Sequence, residues 1–93
     1  MPMKTLILYS KPGCHLCEGL QEKLETLPVH LEIRDITQNQ DWFQKYQYEI
    51  PVLCYTETSG SASIERSLPR VSPRASATQV AKTIQTHAGP FEA

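Results

Sequence analysis

Two cysteines separated by two residues, Cys14 and Cys17, constrain this chain more than any other feature. They follow an apolar run of strand-like composition at 5–9 and precede a segment with helical periodicity. A pair at this spacing can close a small disulfide and reopen it by thiol exchange. Unpaired N–H groups and partial positive charge at a helix N-terminus favour the thiolate over the thiol. The motif therefore predicts redox chemistry at the first turn of a helix.

Size and composition limit the fold, the partners and the location. Ninety-three residues suffice for one domain, 1–93, with a modest core. A hydrophobic content of 40% and a net charge of −1 predict a folded protein that does not bind nucleic acid by bulk electrostatic attraction.

The start of the chain lacks signal-peptide features, and no apolar run approaches the roughly 20 residues of a membrane span. From these absences we expect a cytoplasmic protein without membrane contact, in a compartment where free thiols and a reversible disulfide are both chemically sensible. We also expect a monomer.

Charge is unevenly distributed along the chain. Eight of the ten acidic residues lie within 18–57, whereas 66–91 contains no acid. The basic residues of that second segment are Arg66, Arg70, Arg74 and Lys82. Two interpretations stay open: solvated faces that differ in charge, and a binding patch.

Periodicity and turn signals predict the element order β-α-β-α-β-β-α. The expected strands are 4–9, 29–34, 52–56 and 62–68. The expected helices are 15–27, a short helix holding Trp42, Phe43 and Tyr46, and 77–88. Strands separated by helices should be parallel, and the last two strands should form an antiparallel hairpin that turns at 58–61.

Apolar spacing predicts which side of the first helix is buried. Leu16, Leu20, Leu24 and Leu27 form one stripe, and Cys17 shares that side. We therefore expect Cys17 to be the less exposed cysteine.

Alternation and capping residues make further predictions for the other elements. Val29, Leu31 and Ile33 alternate with polar residues, so the second strand should have one polar face. Thr37 or Asn39 is expected to cap the short helix, whose aromatic residues are predicted to fill the core. The last helix should begin with a capping box, whose two residues are Ser76 and Gln79.

The chain resembles a dithiol glutaredoxin, within the thioredoxin superfamily. Two motifs carry the resemblance, YSKPGCHLC at 9–17 and IPV at 50–52, and the element order extends it over 3–88. The Cys-His-Leu-Cys motif is similar to that of small glutaredoxin-like proteins, many of which have no assigned substrate. The resemblance implies an α/β, thioredoxin-like fold: a four-stranded mixed sheet in the order 2-1-3-4, with three helices on its two faces.

The same resemblance implies roles for individual residues. Cys14 would be the attacking thiol and Cys17 the resolving one. Pro51 is similar to the family's cis-proline, and the backbone of Ile50 before it would pair with an incoming peptide or glutathione. Lys11 would contact a substrate carboxylate, unless it is only a solubilising loop charge. His15 is either a tuner of the neighbouring thiol or a surface residue.

The sequence departs from the glutaredoxin pattern where that family holds the γ-glutamyl end of glutathione. The Gly-Gly-x-Asp motif is absent, and VSPRAS stands at 71–76. The common Thr-Val-Pro is replaced by Glu-Ile-Pro at 49–51. We hypothesise that Arg74, with Ser72 or Ser76, binds a carboxylate instead. The guanidinium of an arginine can bind a carboxylate with two parallel hydrogen bonds.

The predicted activity is reduction of protein disulfides or glutathione mixed disulfides, with no bound cofactor and glutathione as a candidate co-substrate. One alternative is a thioredoxin-type reductant that accepts electrons from a flavoprotein reductase and ignores glutathione. Another is a metal or iron–sulfur module that uses the same cysteines, although zinc sites ordinarily have four well-spaced ligands. Cys54, the third cysteine, is either a buried inert thiol or a third redox thiol.

Overall fold

The computed structural model describes residues 5–59, 62–72 and 74–89. These residues form four strands, three α-helices and one short 3₁₀ helix. In chain order the elements are β1 (Thr5–Ser10), α1 (His15–Glu25), β2 (His30–Asp35), the 3₁₀ helix (Ile36–Gln38), α2 (Gln40–Tyr46), β3 (Val52–Ser59), β4 (Ala62–Ser67) and α3 (Ala77–Ala88). The predicted order β-α-β-α-β-β-α is confirmed.

The strands form one mixed sheet in the order β2-β1-β3-β4. β1 and β2 are parallel, with Leu8 opposite Ile33, because α1 carries the chain back between them. β1 and β3 are antiparallel, with Leu8 opposite Leu53, and β3 and β4 form an antiparallel hairpin. The sheet order and the thioredoxin-like arrangement are as expected.

Hydrophobic clusters cover both faces of the sheet. Successive side chains of a strand point to opposite faces, so β1 contributes to both clusters. On one face Leu6 and Leu8 contact Leu24 of α1 and Val80 of α3. On the other face the residues packed together are Ile7, Tyr9, Ile36, Tyr46 and Cys54. Both faces of β1 are therefore packed, which positions the loop that follows it.

Side-chain caps begin the helices where the sequence predicts them. The Ser76 hydroxyl accepts a hydrogen bond from the Gln79 N–H, and the Gln79 side chain accepts one from the Ser76 N–H. Of the two candidate caps for α2, Asn39 is the one used, and it accepts from the N–H groups of Asp41 and Trp42. The short helix and the capping box are both confirmed.

Element ends differ from expectation by one residue in β1, β2 and β4, and by more in α1 and β3. α1 ends at Glu25, two residues early, because the chain turns at Thr26 ahead of Pro28. β3 continues to Ser59 and pairs with β4 up to Ala62, so the turn predicted at 58–61 was wrong for Thr58 and Ser59. The other residues of that predicted turn lie outside the described part of the chain, as does the predicted strand start at 4.

Burial differs from the predicted apolar stripes at three residues. Leu16 is 50% exposed because it lies in the first turn of α1 and lines a groove, whereas Leu24 is fully buried as predicted. Ile33 and Phe43 are also exposed, since Ile33 lies on the edge strand and Phe43 is not part of the cluster that holds Trp42 and Tyr46. Apolar spacing alone therefore overestimated the core.

The predicted polar face of β2 is also wrong at one position. Arg34 is only partly exposed, and its guanidinium lies 5.5 Å from the ring centroid of Tyr9 and 5.3 Å from that of Trp42. α2 packs on this face and brings the Trp42 ring against the arginine, next to the Tyr9 ring of β1. Among the described residues, no helix is long and apolar enough to cross a membrane.

Candidate active site

The cysteine pair lies at the N-terminus of α1. Cys14 is the N-cap residue, and its Sγ accepts a hydrogen bond from the Cys17 N–H at 3.2 Å. The two residues form a disulfide with Cα atoms 5.3 Å apart, a spacing typical of disulfides. Cys17 is 2% exposed and Cys14 is partly exposed, as predicted. Cys14 is therefore the sulfur that a partner can approach.

The loop before Cys14 brings the chain from β1 into α1. Gly13 has a φ of 80°, a conformation that favours glycine because a side chain would be strained there. The Cys14 N–H donates to the Lys11 carbonyl at 3.3 Å, which closes the turn. The sequence Lys-Pro-Gly thus delivers Cys14 to the helix end with its sulfur facing the first N–H groups.

A groove beside the cysteine pair contains the predicted cis-proline. The Ile50–Pro51 peptide bond is cis, and Pro51 lines a groove of about 120 Å³ together with His15, Leu16 and Val71. His15 and Leu16 are the two residues between the cysteines, so the groove begins at the redox motif itself. Leu16, Pro51 and Val71 give the groove an apolar surface, and Lys23 and Arg70 add positive charge to its lining.

Ile50 is partly buried and uses most of its groups inside the protein. Its side chain packs against the cluster under α2, and its N–H donates to the Tyr46 carbonyl at 3.1 Å. Only the Ile50 carbonyl is left to accept a hydrogen bond from a substrate, since no donor in the described chain reaches it.

The structure places Lys11 and Arg74 outside the groove that holds Pro51. Lys11 lines a groove on the other side of α1, beside Cys17, Glu18 and Asp35. Arg74 lines a larger groove along α3, which shares residues 70–72 with the Pro51 groove. The structure therefore brings His15 and Pro51 together, sets Arg74 in an adjoining groove and leaves Lys11 apart from both.

The two serines paired with Arg74 in the sequence hypothesis have different environments. The Ser72 hydroxyl accepts a hydrogen bond from the Arg74 N–H at 3.2 Å and lines both adjoining grooves. The Ser76 hydroxyl is occupied by the capping box of α3. Ser72 is therefore the serine available to act beside the Arg74 guanidinium.

Cys54 lies on the opposite face of the sheet from α1. It is 1% exposed and packs with Ile7 and Tyr46. Burial, followed by the negative charge of Glu65, raises the pKa of its thiol from 9.0 to about 11. This environment favours the inert thiol over a third redox cysteine.

A metal site that joins Cys54 to the cysteine pair does not fit this arrangement, because the sheet separates them. Within the described ranges, no three His, Cys, Asp or Glu side chains are grouped closely enough to hold a metal ion.

Sequence reasoning missed a partly exposed polar network that joins Tyr9 of β1 to side chains of β2 and β4. The Tyr9 hydroxyl donates to the Glu65 carboxylate, while Arg34 donates to the Tyr9 oxygen at 2.7 Å and to Glu65 at 2.9 Å. Burial, and then Glu65, raise the pKa of Tyr9. Tyr9 and Arg34 are opposite each other in the parallel strands β1 and β2. The register of these two strands is the signal that could have predicted their contact.

Arg70 was also missed as a site residue. It lines both the Pro51 groove and the groove along α3, and its guanidinium donates to the Glu49 carbonyl at 3.0 Å. That bond ties the segment after β4 to the segment before Pro51. Its sequence signals were its place in the acid-free segment and its position directly before 71–76, but the carboxylate-binding role was assigned to Arg74 alone.

Comparison with protein families agrees with the site. The model of the family described as Glutaredoxin-like domain (DUF836) matches residues 5–85, which include the cysteine pair, Pro51 and most of α3. The chain belongs to this glutaredoxin-like family. A comparison of the glutaredoxin-like chain with curated proteins finds no match. Family membership and the disulfide-forming Cys14–Cys17 pair together support a thiol redox role.

Proposed function

We propose that this glutaredoxin-like protein is a thiol–disulfide oxidoreductase in which Cys14 attacks and Cys17 resolves. The observation that carries the proposal is the position of Cys14 at the N-cap, where its sulfur accepts the Cys17 N–H. A thiolate at that position is stabilised by the hydrogen bond and by the positive end of the helix dipole. Cys17 lies one turn inside and is buried, so it attacks second.

The reaction conserves atoms and electrons through two exchanges. The Cys14 thiolate attacks one sulfur of a substrate disulfide, forms a mixed disulfide and releases the other sulfur as a thiolate that takes a proton. The Cys17 thiolate then attacks Cys14, forms the Cys14–Cys17 disulfide and releases the second substrate thiol. Two electrons pass from the protein dithiol to the substrate disulfide.

In this proposal the Pro51 groove binds the part of the substrate that lies next to the substrate's reacting sulfur. Leu16, Pro51 and Val71 would contact an apolar side chain next to the substrate cysteine. The Ile50 carbonyl would accept a hydrogen bond from the substrate backbone. Glutathione is a candidate co-substrate, and Arg74 beside Ser72 would hold one of its carboxylates.

The test is mass spectrometry of the parent protein and two variants in glutathione buffers of graded redox poise. We expect a Cys14–Cys17 disulfide in the parent, a stable glutathione adduct on Cys14 in Cys17→Ser, and no adduct in Cys14→Ser. A Cys17 adduct in Cys14→Ser, with none on Cys14 in Cys17→Ser, would reverse the assigned roles.

A thioredoxin-type reductant is the second candidate function. The observation that favours it is the absence of the Gly-Gly-x-Asp motif from the segment before α3. The same experiment separates the two candidates. A parent disulfide that forms without any glutathione adduct on Cys17→Ser, at any poise, supports the reductant that is independent of glutathione.

A further inference from the structure

Two grooves meet beside the cysteine pair. The Pro51 groove begins at His15 and Leu16, and a second, open groove of about 770 Å³ runs along α3 as far as His87. Residues 70–72 line both. A ligand whose reacting end lies beside Pro51 can therefore continue into the second groove without leaving the surface. We call this second groove the α3 groove.

The α3 groove is positively charged. Its cationic side chains are Arg70, Arg74 and Lys82, with His87 at the far end, and no aspartate or glutamate is among its described lining residues. In the described part of the chain, no carboxylate forms an ion pair with Arg70, Arg74 or Lys82. Arg70 donates to the Glu49 backbone carbonyl and, although Glu49 and Glu65 line a neighbouring pocket with it, it forms no ion pair with either of them.

The two sides of α1 differ in charge. The groove on the Cys17 side is lined by Glu18 and Asp35 in addition to Lys11, so its charged side chains leave it net negative. The side that leads into the α3 groove has only cationic and neutral residues in its described lining. The acid-free segment found in the sequence is thus concentrated on one side of the redox site.

We propose that the α3 groove binds an acidic segment of a substrate protein, close in sequence to the disulfide that Cys14 attacks. This inference rests on the proposed oxidoreductase function and names its substrate class. The electron balance is that of the two exchanges above, with the acidic protein's disulfide reduced to two thiols and Cys14–Cys17 oxidised.

The positive groups of the α3 groove lie along one surface, so an extended peptide could meet them with one of its sides. Alternate side chains of an extended segment lie on one side at a spacing of about 6.6 Å. Aspartate or glutamate at alternate positions would therefore face the cationic side chains of the groove together.

A polypeptide fits the groove better than a nucleic acid does. The described lining contains no Phe, Tyr or Trp on which a base could stack. The charge of the whole chain is −1, which gives no long-range attraction for a polyanion. Three cationic side chains along one groove can pair with a few carboxylates that lie close in sequence to a reacting cysteine.

The test is single-turnover reduction of synthetic disulfide peptides by the fully reduced protein, without glutathione. Each peptide carries one intrachain disulfide and a tail with two aspartates at alternate positions, placed before or after the disulfide. Matched peptides carry asparagines in place of the aspartates. The readout is the ratio of the rate for each acidic peptide to that for its asparagine partner.

We expect a ratio of about 10 for one of the two tail placements at low salt, because opposite charge raises the rate of encounter. The ratio should fall towards 1 as salt screens the charges. In Lys82→Glu the ratio should fall to 1 or below. Arg66→Glu is the matched control, since it changes the net charge equally but lies on β4 outside the groove, and its ratio should match the parent's.

The possible failures can be told apart. Equal rates for acidic and asparagine peptides in the parent would overturn the acidic substrate and leave the oxidoreductase in place. If the ratio fell equally in Lys82→Glu and Arg66→Glu, the preference for acidic peptides would come from net charge. That result would overturn binding in the α3 groove. Stronger inhibition by a single-stranded oligonucleotide than by an oligoglutamate of equal charge would overturn the peptide in favour of nucleic acid. No reduction of any peptide would overturn both proposals.

Discussion

At the scale of single residues, the environment of each cysteine predicts its reactivity. Cys14 receives the Cys17 N–H at the start of α1, and Cys54 is enclosed by apolar groups on the other face of the sheet. We therefore expect the thiolate to be stabilised at Cys14, whereas burial disfavours it at Cys54.

We expect the pKa of the Cys14 thiol to lie below the ordinary value of about 8.5, because the helix N-terminus stabilises the thiolate. The measurement is the rate of iodoacetamide alkylation of Cys14 against pH in reduced Cys17→Ser. Cys54 in the same molecule serves as an internal control and should remain unmodified in the native state. A midpoint at or above the ordinary value would contradict the assignment of Cys14 as the attacking thiol.

The raised pKa of the buried Cys54 thiol predicts that the stability of the protein falls at high pH. The pKa of its thiol rises from 9.0 to about 11 on folding, so the folded protein keeps a proton that the unfolded chain releases. Its stabilising contribution is complete below pH 9 and is lost as the pH rises towards 11. Urea unfolding across this range should show a smaller loss of stability in Cys54→Ala than in the parent. If the free energy of unfolding fell equally with pH in the parent and in Cys54→Ala, the prediction would be contradicted. A constant difference between the two proteins, caused by the cavity in the variant, would not affect this conclusion.

At the scale of elements, α3 depends on its capping box. Ser76 and Gln79 satisfy each other's backbone N–H groups, so Ser76→Ala leaves one donor without its partner. We expect a loss of about 1 kcal/mol in the free energy of unfolding, measured by urea denaturation. Gln85→Ala is the control on the same helix, because Gln85 is exposed, and it should change stability by less than about 0.5 kcal/mol. Equal effects of the two substitutions would contradict a role for the cap.

At the scale of the whole molecule, burial against distant elements decides what each leucine of α1 contributes. Leu24 is fully buried with β1 and α3, whereas Leu16 is 50% exposed on the same helix. Leu24→Ala should lower the free energy of unfolding by about 2–5 kcal/mol. Leu16→Ala has the same change in helix propensity and should cost less than about 1 kcal/mol.

Since Leu24→Ala could unfold so small a protein, Leu24→Met provides a second measurement. This volume-conserving change should cost less than about 1.5 kcal/mol and keep the protein folded. A larger effect of Leu16→Ala than of Leu24→Ala would contradict the arrangement of the core.

The sequence by itself determined the features that depend on neighbouring residues. Alternation, helical spacing and caps such as Asn39 and Ser76 predicted the element order, and the spacing of the cysteines predicted the redox motif. The resemblance to glutaredoxins supplied the sheet order and the cis-proline, both of which the structure contains. These features could be predicted because short-range sterics and hydrogen bonds act within a few residues.

Only the tertiary structure decided which apolar and charged residues are brought together. It left Leu16 in a groove, covered Arg34 with the rings of Tyr9 and Trp42, and joined the Pro51 groove to the α3 groove at residues 70–72. Each of these contacts joins segments far apart in the chain. Their formation depends on how helices pack on a sheet, which the local pattern of a single segment does not encode.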